Sequence, residues 1–356
     1  MTDRVVLSID AMGGDHGPSV VVAGCALALD LLPGRNIGFL LHGDRALIEA
    51  ELANLPALRA CAEVAHTDLV ISGDEKAAVA LRRGKGSSLW NAVEAIRKGE
   101  AQGAVSGGNT GALMAISKLI LRMAGGLDRP AIVASWPTLR GVTAVLDVGA
   151  NIDCDADQLV EFAIMGAAFY SAVHARNPAV RPTVGLLNVG SEEMKGHQEV
   201  RDANQVLRDA KLDLDYRGFV EGNDIAMGSV DVIVTDGFTG NVALKTGEGM
   251  ARFFAATIRE YLVSSLLSKI GALLASGALN KMRARLDPSS VNGGPLLGLN
   301  GTVVKSHGGA DARGFANAVL VAANLAASDY AAEIARNLQR LADLKLKSDA
   351  EASAET

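Results

Sequence analysis

Short apolar runs, many of them β-branched, alternate along this chain with longer stretches of helical spacing. Val5–Ile9, Ile37–Leu41, Gly103–Ser106, Ala131–Ser135, Thr143–Asp147, Thr183–Val189 and Val230–Thr235 read as strands. Most are continuously apolar, as strands covered on both faces should be. Helical spacing follows in Ser19–Leu32, Ala46–Asn54, Ser88–Lys98, Gly111–Ala124, Asp157–Arg176, Gln198–Ala210 and Gly240–Val263. This order predicts βαβ units in a three-layer α/β/α fold around a mostly parallel sheet. Residues 1–345 read as a single α/β domain without repeats or a Pro- or Ser-rich linker, and the polar segment 346–356 reads as a frayed tail.

Composition narrows the functional classes. Hydrophobic residues form 49% of 356, too many for a disordered chain and enough for a large core. The formal net charge of −6 argues against nucleic acid as the main partner. Cys25, Cys61 and Cys154 are odd in number and far apart. They predict reduced thiols in a cytoplasmic protein, with no disulfide framework or zinc site. The opening MTDRVVLSIDAMGGDHG reaches charged and turn residues too early for a signal peptide. No run of about 20 apolar residues predicts a spanning helix.

Glycine is about 11% of the chain, against a usual share of about 7%, and its placement is informative. Five strand ends run into loops of Gly, Asp, Asn and Thr: Asp10–Pro18, Ser106–Gly111, Asp147–Asp153, Asn188–Gly196 and Thr235–Asn241. Ligands of open α/β sheets bind at the carboxyl ends of strands. Glycine admits backbone amides close to an anion, and a following helix N-terminus adds favourable potential. Any one loop is equally well a turn; five on one expected edge point to a small-anion site. The dinucleotide pattern GxGxxG is absent after the first strand, and the GK pair at Gly84-Lys85 lacks the rest of a P-loop.

The segments IDAMGGDHGP, SGGNTGALM, LDVGAN, LLNVGSEEMKG, VTDGFTGNVALKT and VVKSHGGAD resemble those of bacterial PlsX-type phosphate acyltransferases, in the same order, from about Val5 to about Ala335. The resemblance implies a homodimer with a fold similar to isocitrate dehydrogenases and phosphotransacetylases. It also implies conversion of fatty acyl-acyl carrier protein and inorganic phosphate into acyl phosphate and free carrier protein. That product feeds a membrane acyl phosphate:glycerol-3-phosphate acyltransferase early in phospholipid synthesis.

Such a reaction needs oriented phosphate, donors for a tetrahedral oxyanion, and a proton for the departing thiolate. No cofactor or metal is required, and no His/Asp cluster has metal-ligand spacing. Gly107, Gly108, Asn109, Thr110 and Gly111 are candidates for the phosphate cradle. Lys195 is the candidate cation, and Asn241 and Thr239 are candidate donors. His197 or His307 is the candidate acid, since imidazole titrates near neutrality. Asp10, Asp147, Asn151 and Asp236 are placed to orient lysines or loop amides. Each has a plainer alternative: Lys195 as a solvated loop lysine, Asn241 as a helix cap, the histidines as packed or capping groups. Lys85, Lys245 and Lys305 are secondary candidates. No Ser or Cys stands on a GxSxG turn, which favours direct transfer to phosphate over an acyl-enzyme.

Residues 262–278 predict one amphipathic helix. Leu266, Leu267, Ile270, Leu273 and Leu274 lie on its apolar half, and Lys281, Arg283 and Arg285 follow. This protrusion suits contact with an anionic membrane surface or with acidic carrier protein, although core or dimer interface is the commoner use of such a helix. Two other functions fit parts of the pattern: a phosphotransacetylase acting on short-chain acyl-CoA (or a dehydrogenase of the same fold), and a non-catalytic lipid-synthesis scaffold.

Overall fold

The computed structural model describes residues 4–354; Arg176, where the sequence expectation ended a helix, and Pro178 lie outside the described residues. The strands are β1 (Val5–Asp10), β2 (Ile37–Gly43), β3 (Ala62–His66), β4 (Gly103–Ser106), β5 (Ala131–Thr138), β6 (Gly141–Leu146), β7 (Thr183–Leu187), β8 (Asp215–Val220), β9 (Val232–Val234), β10 (Gly294–Leu297) and β11 (Thr302–Lys305). The helices are α1 (Pro18–Leu31), α2 (Arg45–Leu52), α3 (Pro56–Arg59), α4 (Ala77–Arg83), α5 (Ser88–Arg97), α6 (Thr110–Leu121), α7 (Ala156–Val173), α8 (Gln198–Asp209), α9 (Gly222–Met227), α10 (Gly237–Leu262), α11 (Leu266–Leu274), α12 (Ser276–Leu286), α13 (Ala312–Ala326) and α14 (Tyr330–Ala354).

All the strands join one sheet, ordered β3-β2-β1-β4-β11-β10-β5-β6-β9-β7-β8. Side-chain alternation explains the three layers. In β1, Leu7 and Ile9 enter an apolar cluster with Val21, Val22 and Cys25 of α1 and Phe315 of α13. On β6, Ala144 and Leu146 join a cluster with Phe162 and Phe169 of α7, while Val145 faces another with Ile225 of α9 and Leu244 of α10. Helices therefore cover both faces, as the apolar strands required.

The sheet is mostly parallel, as expected, but the expectation that the five glycine loops share one edge fails. Neighbouring strands are parallel except at β11–β10, β10–β5 and β5–β6. Three antiparallel junctions reverse the direction, so β6, β9, β7 and β8 run opposite to β1, β2, β3, β4 and β11. The five loops consequently occupy two opposite edges. Those after β1 and β4 share an edge with the end of β11; those after β6, β7 and β9 lie on the other.

The expected tail is also different. α14 continues through Ala354, in keeping with the strong helix formers Ala, Glu and Lys in that segment. Among the described residues, no single helix is long and apolar enough to cross a membrane.

One buried and one half-buried histidine give the fold an acid sensitivity. His42 bonds Ser8 across β2–β1 through Nε2 at 2.9 Å, and His174 bonds Ser135 at 2.8 Å. Burial, with a smaller effect of Lys98, pushes His42 down to about 4, and burial does the same to His174. The unfolded chain binds more protons between about pH 4 and 6.5, so stability falls as pH falls through that window, by about 2 kcal/mol per histidine at pH 5. Glu161 opposes this: burial, then Asp128, Asp157 and Asp155, push its carboxyl up to about 7. Burial also raises the carboxyls of Asp10, Asp147 and Glu333, which oppose the histidines in the same way. The clean expectation is therefore a difference: between pH 7 and pH 5, His174→Gln should keep about 2 kcal/mol more of its stability than the wild type, read by urea unfolding. An identical pH response in the variant would remove His174 from the explanation.

Candidate active site

The first edge is built by β1, β4 and β11. Asp10 and Ser106 are register partners on adjacent strands, and Ser106 Oγ donates to Asp10 Oδ2 at 2.7 Å while accepting the Gly108 amide at 3.0 Å. Asp10 is almost fully buried; desolvation raises its pKa, opposed by Ser88, Ser106, the Met12 amide and the charge of Lys305. A β-carbon at Gly13 would lie 2.6 Å from Asp10 Oδ2 and 2.8 Å from the Gly108 nitrogen, so this position must be glycine for the two loops to touch. Asn109 caps α6 through the Ala112 amide, and its Nδ2 donates to the Gly73 and Glu75 carbonyls, tying that segment to the cradle. Thr110 and Gly111 open the same helix, where the first-turn amides lack intrahelical acceptors. His307 is exposed in the loop after β11; its Nδ1 accepts the Gly309 amide and its own amide donates to Asn292 Oδ1.

The second edge is organised by Asp147, which is fully buried. Its carboxylate accepts the amides of Ile132, Gly149, Ala150 and Asn151 and the Nδ2 of Asn151, all at 2.6–3.2 Å. Desolvation raises its pKa and these donors oppose the rise. The nest of amides after β6 is thus filled by the protein's own carboxylate. Asn151 Nδ2 also reaches the Pro130 carbonyl. α10 starts against this loop: a β-carbon at Gly240 would stand 1.9 Å from the Asp147 carbonyl oxygen. Asp236 caps α10 through the Thr239 amide and accepts the Thr239 hydroxyl, so Thr239 is a capping partner and its hydroxyl is already engaged. Asn241 lies inside the helix and is not its cap; its Nδ2 donates to the Val148 carbonyl at 3.0 Å.

Lys195 stands in the exposed loop after β7, paired with Glu192 at 3.5 Å. Asn188 holds that loop through the Lys195 carbonyl. His197 is the exposed residue preceding α8 and makes no side-chain cap. β7 pairs with β9, so Lys195 and His197 share an edge with Asn241, although among the described residues no hydrogen bond or ion pair joins Lys195 to Asn241. Five strand steps separate β4 from β9, about 24 Å at about 4.8 Å per strand. The cradle of Gly107–Gly111 and the pair Lys195 and Asn241 are therefore not brought together within one chain.

The family model described as a fatty acid synthesis protein matches residues 5–333. The chain is 69% identical over 341 residues to the phosphate acyltransferase of Caulobacter vibrioides, covering 96% of this chain and 93% of that protein. It belongs to the phosphate acyltransferase family. The phosphate acyltransferase of Phenylobacterium zucineum is 61% identical over the same length, covering 96% of this chain and 95% of that one. A phosphotransacetylase from Streptococcus pyogenes superposes with a TM-score of 0.58 at 16% identity, covering 91% and 94% of the two chains; it shows the shared fold. The chain is thus an acyltransferase. Among the described residues the three cysteines are unpaired. Cys154 adjoins the second edge, but burial, reinforced by Asp147, pushes its thiol up to about 12, which removes it as a thiolate nucleophile. Lys305, a secondary candidate in the sequence, proves to be the register partner of Ser106.

Proposed function

We propose that this enzyme transfers the fatty acyl group of acyl-acyl carrier protein to inorganic phosphate, releasing acyl phosphate and free carrier protein. Membership of the phosphate acyltransferase family along nearly the whole chain carries this reading. Phosphate occupies the first edge, at Gly107–Gly111. Lys195 and Asn241, on the second edge, act on the thioester, Lys195 by offsetting the oxyanion and Asn241 by orienting the carbonyl. A phosphate oxygen bonds to the acyl carbon, the C–S bond breaks, and the thiolate takes a proton from His307 or His197.

Because the edges are far apart in one chain, each site of the proposed homodimer takes one edge from each copy. The apolar residues Val242, Met250, Phe253, Phe254 and Tyr261 of α10 are exposed and supply a surface for the second copy. The alternative of a short-chain phosphotransacetylase draws on the fold likeness alone. Palmitoyl-acyl carrier protein should exceed acetyl-CoA in kcat/KM by at least about 100-fold; the reverse order would favour the short-chain reading.

The same reading puts the protein at the inner face of the cell membrane, as a peripheral protein delivering acyl phosphate to a membrane acyltransferase. The expected amphipathic helix is broken in two: Ser265 caps a new helix after Leu262, and α12 begins at Ser276. The apolar stripe survives on α11, where Leu266, Leu267, Ile270, Leu273 and Leu274 are each more than half exposed. Covering such side chains gains roughly 1.5–3 kcal/mol each. Lys281 is exposed on α12; the side chains of Arg283 and Arg285 lie outside the described residues. Leu267→Asp with Leu274→Asp should abolish sedimentation with anionic liposomes, and Lys281→Glu with Arg283→Glu and Arg285→Glu should weaken it. Unchanged sedimentation in both would remove the membrane from the account.

A further inference from the structure

We propose that the Lys305 ammonium holds the phosphoryl group of the attacking phosphate where the loops after β1, β4 and β11 meet. This rests on the acyl-transfer reading and names the cation of its phosphate site. Asp10, Ser106 and Lys305 are register partners across three adjacent parallel strands. The sheet therefore sets a carboxyl, a hydroxyl and an ammonium side by side at its edge. The loops close over them through bare backbone: a β-carbon at Gly14 would meet the Gly308 carbonyl at 3.0 Å, and one at Gly107 the Gly13 carbonyl at 3.2 Å. Lys305 Nζ enters this junction and donates to the Gly107 carbonyl at 3.2 Å and to the Ser306 carbonyl. An ammonium has three N–H groups, so one remains for a ligand.

Among the described residues Lys305 has no counter-ion in contact. Asp10 and Asp15 act on it through charge alone, and among the described residues it forms no ion pair. A largely desolvated ammonium without a partner is costly, and an anion beside it restores the pairing that burial removed. Burial pushes Lys305 down to about 8, which leaves it mostly charged at neutral pH. Desolvation raises the pKa of Asp10, which weakens it as a counter-ion. A phosphoryl group has two sources in this reaction, free phosphate and the phosphodiester of the carrier's pantetheine arm; the proposal assigns Lys305 to the first.

Two measurements on the full-length chain test it. Inorganic phosphate alone should slow acetylation of Lys305 by an amine reagent, read by mass spectrometry, about fivefold or more at saturation, while leaving Lys195 unaffected. No protection would overturn the proposal without requiring any variant to fold. In steady-state assays, Lys305→Met should raise KM for phosphate about 10- to 100-fold with KM for acyl-carrier protein unchanged, and Lys305→Arg should recover part of the loss. A raised KM for the carrier alone would overturn it in favour of the phosphodiester. If acyl phosphate forms and Lys305→Met leaves the phosphate KM unchanged, this inference fails and the acyl-transfer reading stands. If phosphate protects Lys305 but no acyl phosphate forms, that reading fails and this binding site stands.

Discussion

Asp147→Ala should lower the stability of the protein by about 3–5 kcal/mol and abolish acyl transfer. The carboxylate satisfies four backbone amides and the Asn151 side chain from a fully buried position. Truncation leaves those buried donors without their acceptor, and each one left unpaired costs about 1–3 kcal/mol. The damage spreads, because α10 starts against the Asp147 backbone at Gly240 and Asn241 is anchored to Val148. Asp147→Asn keeps the volume but turns an acceptor-only group into one that presents an NH2 to amide donors, so it should recover only part of the stability. Urea unfolding of the three proteins measures this. A loss below about 1 kcal/mol for Asp147→Ala would mean that water replaces the carboxylate and the loop is not built on it.

Lys195→Ala and Asn241→Ala should each cut kcat by about 100-fold or more, with unfolding midpoints unchanged. Both side chains are exposed and neither supports the core: among the described residues Lys195 pairs with Glu192 alone, and Asn241 makes one bond to a loop carbonyl. Their separation from the Gly107 cradle makes a further result diagnostic. Gly108→Val should also be inactive, since a β-carbon there already meets Asp10 Oδ2 and Ser106 Oγ at 3.2 Å. Mixing Lys195→Ala with Gly108→Val under conditions of subunit exchange should then restore activity, up to about a quarter of wild type, because one site of each mixed dimer takes both intact edges. If the mixture stays inactive while exchange is demonstrated, each site belongs to a single chain.

The layers were legible in the sequence because continuous apolar runs such as Val5–Ile9 leave few alternatives to a covered strand. What escaped was direction. β10 and β11 are four residues each in a glycine-punctuated segment, Gly294–Lys305, which reads as loop, yet they carry two of the three reversals that split the loops between edges. β8, at the sheet margin, contains Asp215, Arg217 and Gly218 and slips register against β7, so its pattern is not that of a buried strand. The glycine loops and the residues Asp10, Asp147, Lys195 and Asn241 were visible as chemistry. Lys305 was not ranked among them, because its meaning depends on pairing with Ser106, about 200 positions away in the chain. The 262–286 region kept its apolar stripe but not its continuity, since the Ser264-Ser265 pair offers a cap that competes with helix continuation.

The central claim is that phosphate attacks a fatty thioester directly. Palmitoyl-acyl carrier protein incubated with the enzyme should release carrier thiol and form acyl phosphate in equal amounts, at rates that saturate with phosphate and vanish without it. Thiol release that is independent of phosphate, or that yields free fatty acid in place of acyl phosphate, would contradict the account.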